Sequence, residues 1–218
     1  MRFEFFIKVF DNIVYAQNFL NKGEMLFRPA TYFKEREDIR QDKNEGILVE
    51  NIHKRLPEGC KKLILRGAKG GKTFIVDLER FKNENPDFNN ANDLTFHFKY
   101  ISDFKIYCMA YINDSMPNLS SIFNRLREYG NYAVLIGDCK GFIEQVKKAL
   151  KDYEYRFVSY SDVTVEKSPF DKAKNFSDES EFRFVTTDDL KNNYLYIGPV
   201  NGVISNIDEL EELLKKFY

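Results

Sequence analysis

Residues 105–136 run KIYCMAYINDSMPNLSSIFNRLREYGNYAVLI, and their reading decides the fold. Lys105–Ile112 is rich in β-formers and reads as a strand. Pro117 to Tyr129 changes period: Leu119, Ile122, Phe123 and Leu126 recur at helical spacing and mark an inward face. Tyr132–Ile136 is a continuous apolar run, the signature of a central strand buried on both faces. Asp138 then stands where it can cap a helix over 140–151, with Phe142, Val146, Ala149 and Leu150 inward. A strand, a helix and a buried strand in immediate succession, without regular alternation on either side, favour an α+β fold over a βαβ repeat.

The same reading extends outward in both directions. Towards the C-terminus, Tyr155–Tyr160 and Glu181–Thr186 read as strands separated by a polar loop over Lys167–Asp178, and Tyr194–Ile197 reads as another strand. Ser205, with Asp208 three residues on, caps a last helix whose buried stripe is Ile207, Leu210, Leu213, Leu214 and Phe217. Towards the N-terminus, Leu94–Ile101 is β-rich, and Lys82–Asp93, rich in Asn and acids, reads as a long loop or lid. Residues 62–66 and 73–78 form a hairpin about the glycine-rich turn 67–72. Thr31–Asp38 reads as a short charged helix, Arg40–Gly46 as a polar loop and Met25–Phe27 as a short strand. Residues 2–9 alternate, with Phe3, Phe5, Ile7 and Val9 on one face, so they form a strand. Asp11 can cap a helix over 12–21, closed by Gly23. The expectation is one α+β domain over residues 1–218: a mixed, mostly antiparallel sheet with four to six flanking helices.

Composition bounds the function. The chain has 218 residues, of which 43% are hydrophobic and 16% aromatic, which excludes a disordered chain. Thirty-three basic residues balance 34 acidic ones, which argues against a histone-like binder. Cys60, Cys108 and Cys139 have neither disulfide-framework nor zinc-site spacing, and suit a reducing cytosol. No signal-peptide core and no membrane-length apolar stretch is present, so a soluble cytoplasmic protein is expected.

Several local patterns are candidate sites. Gly67 to Thr73 approaches a phosphate loop but has three residues where four are needed, and a strand follows instead of a helix, so a hairpin turn fits better. Residues 54–72 carry seven basic side chains against Glu58 alone, a local charge of +6. This stretch could meet a nucleic-acid backbone or a dinucleotide pyrophosphate; a solvated hairpin fits it better. His53 and His97 stand in no motif, and no metal-binding pattern is present. Glu179 and Glu181 lie two apart where a strand begins, so their side chains are expected on one face. Two close carboxylates repel, which raises one pKa and can create a base or an anion poised beside developing positive charge. A solvated pair at a strand end is the plain alternative.

In order along the chain, Tyr107-Cys108-Met109-Ala110, Tyr129-Gly130-Asn131-Tyr132, Val158-Ser159-Tyr160, Lys174 and Glu179-Ser180-Glu181-Phe182-Arg183 resemble a loose group of bacterial and phage proteins of the DUF2971 and AbiGi type. The resemblance covers roughly residues 105–185. It implies a phage or mobile-element protein linked to abortive infection. The Glu-x-Glu strand also looks like the terminal signature of mono-ADP-ribosyltransferases. That likeness implies NAD as substrate, Glu181 as the catalytic carboxylate and Glu179 as its helper in activating the acceptor. An early-strand Arg or His holds NAD in that fold. Here Arg2 and Lys8 stand on the first strand and Arg28 follows the second. The family's Ser-x-Ser strand falls at Cys108-Met109-Ala110, where serine is missing. No metal is implied. The expected partner is a host or phage macromolecule, most simply a protein. Two rival readings stay open: a non-enzymatic module that binds and inhibits or senses a protein, and a nucleic-acid binder acting through residues 54–72.

Overall fold

The computed structural model describes residues 3–35, 47–55, 62–66, 73–84, 93–101, 104–116, 118–162 and 168–216. In chain order the first elements are β1 (Glu4–Phe10), α1 (Ile13–Lys22), β2 (Glu24–Leu26), β3 (Arg28–Pro29) and α2 (Ala30–Glu35). Next come β4 (Ile47–Arg55), β5 (Lys62–Arg66), β6 (Thr73–Asp77), α3 (Leu78–Glu84) and β7 (Asp93–Ile101). The third group is β8 (Lys105–Asn113), α4 (Leu119–Arg127), β9 (Tyr132–Ile136), α5 (Cys139–Ala149), β10 (Glu154–Phe157) and β11 (Ser159–Ser161). The last is β12 (Asp171–Ala173), β13 (Glu181–Thr186), β14 (Tyr194–Tyr196), β15 (Val203–Asn206) and α6 (Ile207–Lys215). A 3-10 helix over Lys174–Glu179 leads into β13.

The chain divides into two compact units, residues 1–48 with 100–218, and residues 49–99. The larger unit is built on one sheet in the order β10-β13-β8-β1-β9-β15, with β3 also paired to β8. The pairings of this sheet are antiparallel, and β11 with β12 forms a separate parallel pair, so the fold is α+β with mostly antiparallel strand pairing and flanking helices. In the smaller unit β5 and β6 form the expected antiparallel hairpin. Its turn, residues 67–72, lies outside the described residues, as does most of the basic stretch 54–72.

Strand period explains the two faces of the large sheet. Phe6, Tyr107, Met109, Phe182 and Phe184 point to one side and pack with Phe19 of α1 and Phe142 and Val146 of α5. Ile7, Ala110 and Ile112 point to the other and pack with Leu119, Ile122, Phe123 and Leu126 of α4 and with Leu210 and Leu214 of α6. The four α4 residues expected inward are all buried. β9 lies between β1 and β15, as its apolar run requires. Asp138 caps α5 by accepting the Gly141 N–H, and Gly23 ends α1 in the left-handed region at φ 62°.

Several details differ from the sequence reading. The caps of α1 and α6 are Asn12 and Asn206, each one residue beyond the expected Asp11 and Ser205. Residues 82–84 continue α3 instead of opening a loop. The loop 167–178 contains β12 and most of the 3-10 helix. On α6 Leu213 is 47% exposed, and Glu211 occupies the buried stripe. Helical spacing from Ile207 and Leu210 leads to residues 211 and 214, and Glu211 is accommodated because Arg127 and Lys215 both pair with it.

Candidate functional site

The large sheet is split beside β8. β1 pairs with residues 110–113 of β8 and β3 with residues 105–106, so Tyr107, Cys108 and Met109 face the opening between the two strands. Past Ile7, β1 continues along β9 alone. A cavity of about 400 Å³ occupies this opening; Lys8, Arg28, Cys108, Lys172, Glu179 and Glu181 are among its lining residues. Four of the five residues nominated from sequence therefore line one cavity. The fifth, Arg2, lies outside the described residues.

The cations are held differently. The Lys8 ammonium donates to the Cys108 carbonyl at 2.7 Å, filling a backbone position that the split leaves without a ladder strand, and lies 4.4 Å from the Tyr107 ring centroid. The Arg28 guanidinium lies over the Tyr32 ring at 4.4 Å. Among the described residues it has no ion pair.

The carboxylates converge, though not for the reason their spacing suggested. Glu181 begins β13 opposite Ala110, and Arg183 follows on the same face opposite Cys108. Glu179 is not on the strand. It closes the 3-10 helix, and Ser180 between them is left-handed at φ 45°. Ser180 is locked there: its hydroxyl donates to the Tyr111 carbonyl at 2.8 Å, and its own carbonyl accepts the Tyr111 N–H at 2.8 Å. What joins the carboxylates is Lys172 of β12, 7% exposed, whose ammonium pairs with Glu179 and lies 3.4 Å from Glu181 Oε2.

Around this centre every buried charge has a partner. Glu179 Oε1 accepts from Arg125 at 2.8 and 3.2 Å and from the Tyr129 hydroxyl at 2.6 Å. Arg125 and Tyr129 are four apart at the end of α4, which sets them on one side. Arg183, 1% exposed, pairs with Glu181 Oε2 at 2.9 Å and donates to the Pro169 carbonyl at 2.6 Å. The Tyr160 hydroxyl accepts the Glu181 N–H at 2.9 Å. Cys108, Tyr129 and Tyr160, which lie far apart in sequence, thus meet Glu179, Glu181 and Arg183 in space. Lys174 does not join them; it is exposed and near Asp162.

The electrostatics overturn the expected like-charge behaviour at Glu181. Burial pushes its pKa up, but Arg183 and Lys172, with a hydrogen bond from the Cys108 thiol, outweigh burial and hold the carboxyl at about 2. It is ionised at neutral pH. Burial, reinforced by Glu181, raises the Cys108 thiol, which is therefore no thiolate nucleophile. Burial and the neighbouring carboxylates likewise raise Tyr129 and Tyr160 and keep their hydroxyls protonated.

Sequence reasoning missed Lys172 and Arg125. Arg125 and Tyr129 carried a readable signal in their i, i+4 spacing beside the apolar stripe. Lys172 carried none, since a lysine in a polar loop reads as solvated. Among the described residues, no group of three or more His, Cys, Asp or Glu side chains is placed to hold a metal ion, and no helix is long and apolar enough to cross a membrane. Compared with known proteins, the chain matches no family model, no curated protein and no solved structure.

Proposed function

We propose that the chain binds NAD in the cavity beside β8 and transfers its ADP-ribose to a macromolecule, as an ADP-ribosyltransferase-like protein of a phage or mobile element. The observation that carries this reading is an ionised Glu181 and an Arg28 guanidinium without an ion pair among the described residues, lining the same cavity. The cavity volume falls within the range of small-molecule sites. In the reaction, the bond between the ribose anomeric carbon and the nicotinamide nitrogen breaks, and the electron pair leaves with nicotinamide. A nucleophile on the acceptor bonds to that carbon and releases its proton to solvent. Positive charge builds on the ribose, and a fixed carboxylate lowers that barrier in proportion to how little it must reorganise. Glu181 is so fixed by Arg183 and Lys172. Arg28, with Lys8 on the lining of the same cavity, supplies charge for the pyrophosphate. Glu179, its oxygens already occupied, is a positioning residue that holds Lys172 against Glu181. The role of acceptor-activating base expected for it does not fit that saturation.

A second reading has its own support. Arg183 and Lys172 neutralise the negative charge of Glu181, which suits a cavity that binds without chemistry and a protein acting on a partner by contact. One experiment separates the two: NAD turnover, with and without a cell extract as acceptor, in wild type and Glu181→Gln, with calorimetric NAD binding alongside. The enzyme reading expects turnover in wild type and a loss of about 100-fold or more in the variant. Equal and negligible turnover in both removes it, and binding that persists without turnover selects the second reading.

A further inference from the structure

We propose that two copies of this chain associate through β10, edge to edge and antiparallel, about a two-fold axis through Tyr155. β10 is the terminal strand of the large sheet, paired on one side with β13. All four of its residues are exposed, including Tyr155 at 37% and Phe157 at 53%. An edge that no described strand pairs, with exposed aromatics, invites another strand.

The sequence of the edge says which strand. Along Tyr153-Glu154-Tyr155-Arg156-Phe157, period two sends the three aromatics to one face and the two charges to the other. Pairing the strand with its own copy about Tyr155 sets Glu154 opposite Arg156 twice, Tyr155 opposite Tyr155, and Tyr153 opposite Phe157 twice. Opposite charges meet on one face, and three aromatic pairs meet on the other; both kinds of cross-strand pair are favourable. Shifting the axis by one residue either way sets Glu154 against Glu154 or Arg156 against Arg156. Half-step shifts place aromatics across from charges on opposite faces. One register alone is self-complementary, and it joins two large sheets into one continuous sheet with an isologous contact. The aromatic row is already ordered: Phe157 lies 4.7 Å from Tyr111 and 5.1 Å from Phe182, and Tyr153 stacks with Tyr155 at 6.3 Å, all between ring centroids. The in-chain ion pair between Arg156 and Glu154 at 2.7 Å is exposed and weak, so exchanging that pair across the axis costs little; the Arg156 guanidinium also lies 4.4 Å over the Phe170 ring.

Sedimentation velocity on the full chain, from about 1 to about 100 µM, the range of modest associations, tests this. Wild type is expected to pass from monomer to dimer. Arg156→Glu and Glu154→Arg, each placing like charges opposite at both pairs, are each expected to weaken the dimer by about tenfold. The double variant Glu154→Arg with Arg156→Glu restores the complement and is expected to recover the wild-type dimer. These positions are exposed, and circular dichroism checks that each variant is folded. A wild type that stays monomeric throughout overturns the proposal, and so does a dimer indifferent to the single swaps. Failure of the double variant to recover overturns the register. A strand supplied by a different protein corresponds to the monomeric outcome.

Discussion

Glu181→Gln should remove a specific part of the pH dependence of stability. The folded-state pKa of Glu181 is lowered from 4.5 to about 2, with burial opposing and Arg183 and Lys172 prevailing. A depressed carboxylate contributes stability that is fully present above the unfolded pKa and is lost as pH falls through the folded one. The shift corresponds to about 3 kcal/mol at pH 7, and about 2 kcal/mol of that disappears between pH 5 and pH 3. The side chain is 12% exposed, so solvent screening discounts this figure only slightly. The amide cannot titrate and leaves the Arg183 guanidinium, 1% exposed, short of its counter-charge. Such one-sided removal costs about 3–5 kcal/mol at neutral pH. Urea unfolding of wild type and Glu181→Gln at pH 7, 5 and 3 measures the gap. It should be large at pH 7, nearly unchanged at pH 5, and reduced by about 2 kcal/mol at pH 3, where the carboxyl is protonated in the unfolded chain while still largely ionised in the folded one. A gap that stays constant from pH 7 to pH 3 would refute the charge network as the origin of this stability.

Two further substitutions probe the frame around the cavity. Tyr107 is 3% exposed, and among the described residues its hydroxyl is a buried polar atom without a hydrogen-bond partner. Tyr107→Phe should therefore raise stability by about 1 kcal/mol, read as a higher thermal midpoint, and a lower midpoint would reveal an overlooked partner. Gly130 sits at φ 151°, where a Cβ would fall 2.2 Å from the Phe10 carbonyl oxygen. Gly130→Ala should destabilise by about 2 kcal/mol or more, since both the backbone conformation and the close approach to β1 oppose a side chain; an unchanged midpoint would contradict it.

Much of this fold was legible because it rests on period. Leu119, Ile122, Phe123 and Leu126 announced α4, the apolar run 132–136 announced a central strand, and Asp138 and Gly23 announced helix ends. The misplaced caps differ from the true ones by one residue between chemically equivalent donors and acceptors, a distinction that propensity does not make. Glu211 was illegible because a carboxylate enters an apolar stripe only where cations from elsewhere meet it. Within the candidate site, Glu181 and Arg183 followed from strand alternation. Glu179 reached the same cluster through a left-handed Ser180 held by Tyr111, and Lys172 through the parallel pairing of β11 with β12. Both depend on long-range contacts that no local window contains.

The split beside β8 also distinguishes the two cations that the sequence proposed for one task. Where β1 leaves β8, the Cys108 carbonyl would lie unpaired in a largely apolar wall, and an unmet buried carbonyl costs about 1–3 kcal/mol. Lys8 meets it at 2.7 Å, so its ammonium is committed to the sheet before any ligand arrives. Lys172 and Arg183 are committed to the carboxylates in the same way. Arg28 has no such duty: it rests on Tyr32 from β3, the short strand that forms the far side of the split. Among the described residues, an anion entering the cavity therefore finds its first unspent charge at Arg28, and draws on Lys8 only by competing with a backbone hydrogen bond. The order in which these groups can be recruited follows from the strand topology, because the same divergence of β1 from β8 that opens the cavity also assigns Lys8 to close the gap in the ladder.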